Sequence, residues 1–156
     1  MVRPLCLMPH PMLCKPACRV ESFDHELRQL VGDMIETMYA HDGVGLAAPQ
    51  IGHHAQVFVA NPSQVKGQEL VMVNPLLERA AGRSAIVEGC LSVPKRWAKV
   101  RRAAHVRLSG WDLSGAPHTV EAEGLLAVVL QHELDHLRGR LFIDRLPWWR
   151  RARVTS

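Results

Sequence analysis

The chain has 156 residues, 47% of them hydrophobic, with a formal net charge of +4 and an isoelectric point near 9.2. That length suits one ordinary domain with apolar mass for one real core. It excludes helical membrane spans, because the longest apolar run, Leu125 to Leu130, falls far short of the roughly 18 to 20 residues that a bilayer crossing needs. The positive charge gathers at Lys95, Arg96, Lys99, Arg101 and Arg102, and again at Arg145, Arg150, Arg151 and Arg153. Neither group is interleaved with the aromatic platforms of single-strand binders, so both read as solvated faces, with RNA or an acidic surface as the lesser alternative. No DNA or membrane partner is expected.

At the N-terminal end, Pro4, Pro9 and Pro11 interrupt any apolar block before it reaches signal-peptide length, and a cytoplasmic location is expected. Cys6, Cys14 and Cys18 cluster early and Cys90 stands alone, which suits neither a disulfide framework nor paired zinc knuckles. All four should be thiols. Residues 22 to 41 carry the clearest helix: Leu27, Leu30, Val31, Met34, Ile35 and Met38 recur at three and four, Ser22 or Asp24 can cap it, and Gly43 follows. Short β-like runs come next at Gln56 to Ala60, Leu70 to Val73, Ala85 to Val87, Ala104 to Leu108 and Thr119 to Ala122. A second helix runs from Leu125 to about Arg138, where Gly139 can end it. It is apolar nearly all round and must be buried centrally. The spacing between strands leaves little room for crossover helices. The expected class is therefore α+β: mixed or antiparallel sheets around a central buried helix, with an amphipathic helix near the N-terminus.

The strongest chemical signal is His132-Glu133-Leu134-Asp135-His136. Residues four apart on a helix project from one face, so both imidazoles can reach one ion while Glu133 reaches the water beside it. A divalent ion lowers the pKa of its water towards about 7, and a neighbouring carboxylate can take that proton and later return it. A solvated helix with two histidines is the bland alternative, but charge on an otherwise buried helix is costly without a partner.

A catalytic ion wants a third protein ligand and one open position. The long metalloprotease motif would place a histidine at position 142, which is Phe142. The version with a downstream glutamate finds only Asp144, in a tail too short for another helix. Upstream, Glu88-Gly89-Cys90-Leu91-Ser92 offers a thiol in a turn after a strand, although a lone cysteine is by itself more often a small buried hydrophobe. The segment from Gly43 to Gly52 is a glycine-punctuated loop holding Gln50, and alone it reads equally well as a helix stop and tight turn.

Taken together, Gly43-Val44-Gly45-Leu46-Ala47-Ala48-Pro49-Gln50, Glu88-Gly89-Cys90-Leu91-Ser92 and Gln131-His132-Glu133-Leu134-Asp135-His136 resemble the three motifs of the peptide deformylase family, in the family's order. The resemblance runs from about residue 3 to 147. It implies one catalytic domain over 1–147 followed by a short basic tail over 148–156. It implies removal of the formyl group from the N-terminal formyl-methionine of new polypeptides, with formate as product. One divalent ion is implied on Cys90, His132 and His136, normally Fe2+, with Zn2+ or Ni2+ as substitutes; the donor set itself accepts iron and zinc alike. Glu133 would move the proton, and Gln50 with the backbone N–H of Leu91 would hold the carbonyl oxygen as it gains charge. The methionine pocket would fall on Val44, Ile86, Glu88, Leu125, Val128, Val129 and the ring of His132, with Gly45 and Gly89 allowing the substrate backbone close.

Asp135 is a further carboxylate in the helix, expected to pair with a cation such as Arg102 or with a ligand imidazole. Some family members carry an arginine at the cleft mouth where this chain has Trp97, which either offers an apolar platform to substrate or packs on the rim. That change keeps another N-acyl amide in view as substrate. Formyl-methionyl nascent peptides are the implied partners and a monomer is favoured. Trp148 to Arg151 offer a transient ribosome contact only as the lesser reading of a frayed tail.

Overall fold

The computed structural model describes residues 1–154. Helix α1 spans His25–Ala40, and Asp24 rather than Ser22 caps it, its carboxylate accepting the Leu27 N–H at 3.0 Å. Leu27, Val31, Met34 and Met38 form its buried stripe, packed on Leu46, Val57, Val59 and Val73 of the adjoining sheet.

That sheet has five strands in the order β1-β2-β3-β6-β7: β1 Gly45–Ala47, β2 Val57–Ala60, β3 Leu70–Ala81, β6 His105–Trp111 and β7 Pro117–Glu123. β4 Ser84–Cys90 and β5 Val93–Arg102 form a separate two-stranded ribbon. Every ladder is antiparallel. The class is α+β, and several strands depart from the sequence reading. The loop after α1 contributes a short edge strand, β1. β3 continues well past Val73. β5 went unread because its outward positions are cationic and one inward position is Arg102. Its alternation is nonetheless plain in the fold, with Ala98, Val100 and Arg102 buried and Lys99 and Arg101 exposed.

Helix α2, Gly124–Leu137, is buried from Ala127 onward apart from the half-buried Gln131, and packs on β1, β2 and β7. Gly139, at φ +75°, turns the chain away. A Cβ there would stand 2.8 Å from the Cys14 carbonyl, so both conformation and space call for glycine. The ribbon packs on a third cluster, with Val93, Ala98 and Val100 against Leu13, Phe142 and Leu146. The segment read as a tail forms a short helix, α3, Trp148–Val154. No helix among the described residues is long and apolar enough to cross a membrane.

Candidate active site

β4 delivers Cys90 at its end, and α2 presents His132 and His136 one turn apart. The two meet: Cys90 Sγ lies 3.3 Å from His136 Nε2, which lies 3.3 Å from His132 Nε2, and the three donor atoms are all within 4.8 Å of one another. Two nitrogens at about 2.1 Å from one tetrahedral ion stand roughly 3.4 Å apart, so the donors as placed fit such an ion. Burial opposes ionisation of the Cys90 thiol, but the neighbouring imidazoles of His136 and His132 outweigh it and bring its pKa down to about 5. The sulfur is thus a thiolate at neutral pH, the form that binds metal. Cys6, Cys14 and Cys18 are free thiols outside this cluster.

The imidazole of His132 is oriented from behind. Glu88 lines the cavity, yet its carboxylate turns to His132 Nδ1 at 2.9 Å and accepts two bonds from Arg102, at 2.8 and 2.9 Å. With Nδ1 donating to Glu88, the neutral ring would present the Nε2 lone pair to an ion. Arg102 also donates to Asp135 at 2.7 Å, and Arg145 donates to the same carboxylate at 3.0 Å. Glu88, Arg102, Asp135 and Arg145 therefore form a continuous chain of ion pairs beneath the site. The Arg102 partner of Asp135 was legible in the sequence; Arg145, and the orienting task of Glu88, were not.

This chain of pairs has a pH signature. Burial pushes the Glu88 and Asp135 carboxyls up, but Arg102 with His132 and Arg145 with Arg102, respectively, hold them below their ordinary values. Their stabilisation is therefore complete above the unfolded carboxyl pKa values of about 4 and is lost as the pH falls through the lower folded values. The stability measured by urea denaturation should fall steeply below about pH 4, less steeply in Asp135→Asn. A stability unchanged down to pH 3 would show that these carboxylates carry no such linkage.

Glu133 sits beside the donors on α2, buried, with its Oε1 so near β1 that a Cβ on Gly45 would approach it to 2.5 Å. Its other oxygen has no hydrogen bond among the described residues. Burial lifts its pKa to about 7, partly offset by His132 and His136, which poises it to take and give a proton near neutrality. Opposite, Gln50 lies in the 3-10 turn Ala48–Ile51. Its Oε1 accepts the Ala47 N–H at 2.9 Å, which leaves the NH2 group facing the site, 3.1 Å from Ser92 Oγ and 3.6 Å from Cys90 Sγ. The N-terminal segment clamps both loops: Cys6 N–H donates to the Gln50 carbonyl at 2.7 Å and Met8 N–H to that of Ser92 at 2.8 Å. Ser92 belonged to a motif read in the sequence but had no part assigned to it.

These residues open onto a cavity of about 520 Å³, lined by Val44, Gly45, Gln50, Ile86, Glu88, Gly89, Cys90, Leu91, Trp97, Leu125, Val128, Val129, His132 and Glu133. Of the metal, catalytic and pocket residues expected from the sequence, only His136 lies behind the wall, buried.

A proton-poised carboxylate beside an ion-binding donor set, with an apolar cleft alongside, is the equipment of a metallohydrolase. The sequence as a whole narrows this further, since the polypeptide deformylase family model matches residues 2–152. Solved structures agree. A peptide deformylase from Legionella pneumophila is 41% identical, with a TM-score of 0.96 over 99% of this chain and 92% of that one. One from Synechococcus elongatus, in complex with actinonin, is 40% identical at a TM-score of 0.90, over 99% and 86%. One from Thermus thermophilus is 40% identical at 0.91, over 98% and 90%. The chain belongs to the polypeptide deformylase family, enzymes that hydrolyse the N-formyl group from newly made polypeptides.

Proposed function

We propose that this chain deformylates N-terminal formyl-methionine on nascent polypeptides in the cytoplasm, using one ion, ferrous iron in the cell, held by Cys90, His132 and His136. The observation that carries the reading is the convergence of those three donors beside a carboxylate lifted to about 7. When bound, the ion supplies a Lewis acid for the formyl oxygen and makes a water molecule acidic enough to attack near neutral pH.

The protein's own groups do the rest. Glu133 takes the proton of the attacking water and delivers it to the departing amine nitrogen. The Gln50 NH2, fixed by the Ala47 N–H at its other end, and the backbone N–H of Leu91 donate to the formyl oxygen as charge grows on it. The methionine side chain lies among Val44, Ile86, Leu125, Val128 and Val129, an apolar lining that suits an unbranched thioether. The substrate backbone runs as a strand between β1 and β4, past Gly45 and Gly89, whose missing side chains let Glu133 and Trp97 stand close to it.

The test is formate release from formyl-Met-Ala-Ser by anaerobically purified protein, stripped with a chelator and reloaded with ferrous iron, nickel or zinc. Release should vanish on stripping and return on reloading, most strongly with iron. Protein that binds one ion per chain yet releases no formate with any metal would overturn the reading.

A further inference from the structure

β4 sends alternate side chains to opposite sides. Glu88 and Cys90 face inward, where they meet His132 and His136. Val87 and Gly89 therefore face outward. A Cβ on Gly89 would come within 2.7 Å of Trp97 Nε1 and 2.8 Å of its Cδ1, so the indole, reaching over from β5, covers that glycine. Trp97 belongs to none of the three core clusters and is 64% exposed, and Val87, two residues before Gly89 on β4, is 65% exposed. Both line the same cavity as Cys90 and Glu133. The indole of Trp97 and the side chain of Val87 thus stand open as apolar surface at the mouth of the cleft, on the outer face of the ribbon, among the exposed cations Lys95 and Lys99.

A substrate strand lying along β4 with its methionine turned inward must turn its next side chain outward, onto that face. We infer that Trp97 is a specificity-determining residue: its indole, with Val87, receives the side chain that follows methionine and favours large aliphatic or aromatic ones. The inference rests on the formyl-peptide reading of the cavity. Its physical basis is apolar contact with an aromatic face, which an alanine at that substrate position is too short to make. Lys95, which also lines the cavity, and Lys99, opposite Val87, would instead favour an acidic side chain if charge governed the choice.

Formate release from formyl-Met-X-Ser, with X as alanine, leucine, phenylalanine or glutamate, separates these cases in the metal-loaded protein and in Trp97→Ala and Trp97→Phe. Leucine and phenylalanine should exceed alanine in kcat/KM by about fivefold, expressed in KM. The ratio should fall to near one in Trp97→Ala and persist in Trp97→Phe. Equal rates for every X, a preference for glutamate, or a ratio that survives Trp97→Ala would overturn the inference while leaving deformylation intact. No formate from any peptide would overturn the underlying reading and this inference with it.

Discussion

Glu133→Ala should lower kcat for formate release by roughly three to four orders of magnitude, the upper range for loss of a general acid–base. The size follows from the position of this carboxylate. It is buried beside the donor set, one oxygen has no hydrogen-bond partner among the described residues, and burial lifts its pKa to about 7. An ordinary exposed glutamate, with a pKa near 4.3, would be a much weaker base for water and a poor acid for an amine. Because Glu133 is not among the three donors, metal content measured by elemental analysis should stay at one ion per chain. A variant that keeps its ion and loses less than tenfold in kcat would remove Glu133 from the chemistry.

The second large effect is on stability. Asp135→Ala should cost about 3 to 5 kcal/mol, the usual penalty for removing one partner of a buried ion pair and leaving the other charge unmatched. Asp135 is 2% exposed, takes bonds from both Arg102 and Arg145, and lies between His132 and His136 on α2. Arg102 is itself buried and would retain only Glu88. For a chain of this size the loss corresponds to a fall of roughly 10 °C in melting temperature. Ion affinity should drop ten- to a hundredfold, since Arg102 also steadies the Glu88 carboxylate behind His132. Urea denaturation and ion competition would measure the two. A loss under 1 kcal/mol with unchanged affinity would reduce Asp135 to a bystander.

The parts of the site that were legible in sequence are those fixed by local periodicity. His132, Glu133, Asp135 and His136 interrupt a helix that is apolar nearly all round, and that contradiction is visible in a single line of text. Helix α1 was legible for the same reason, through its repeat of three and four. What lay beyond reach depends on contacts between distant segments. Glu88 orients His132 from 44 positions away, and nothing local distinguishes it from any pocket carboxylate. Arg145 reaches Asp135 only because Gly139 folds the chain back. β5 reads as a basic surface until β4 lies beside it, and β1 is too short at three residues to carry a pattern. Cys90 differed from the other thiols in sequence only through its motif; it is the fold that sets it 3.3 Å from His136.

The clamp made by Cys6 and Met8 on the Gln50 and Ser92 carbonyls has a kinetic side. The first segment of the chain locks together two loops some forty residues apart, and the donor set joins Cys90 to His136 across 46 positions. Closures of such sequence separation carry a loop entropy that slows folding. An ion that binds the assembled donor set and not the unfolded chain stabilises the native state by mass action.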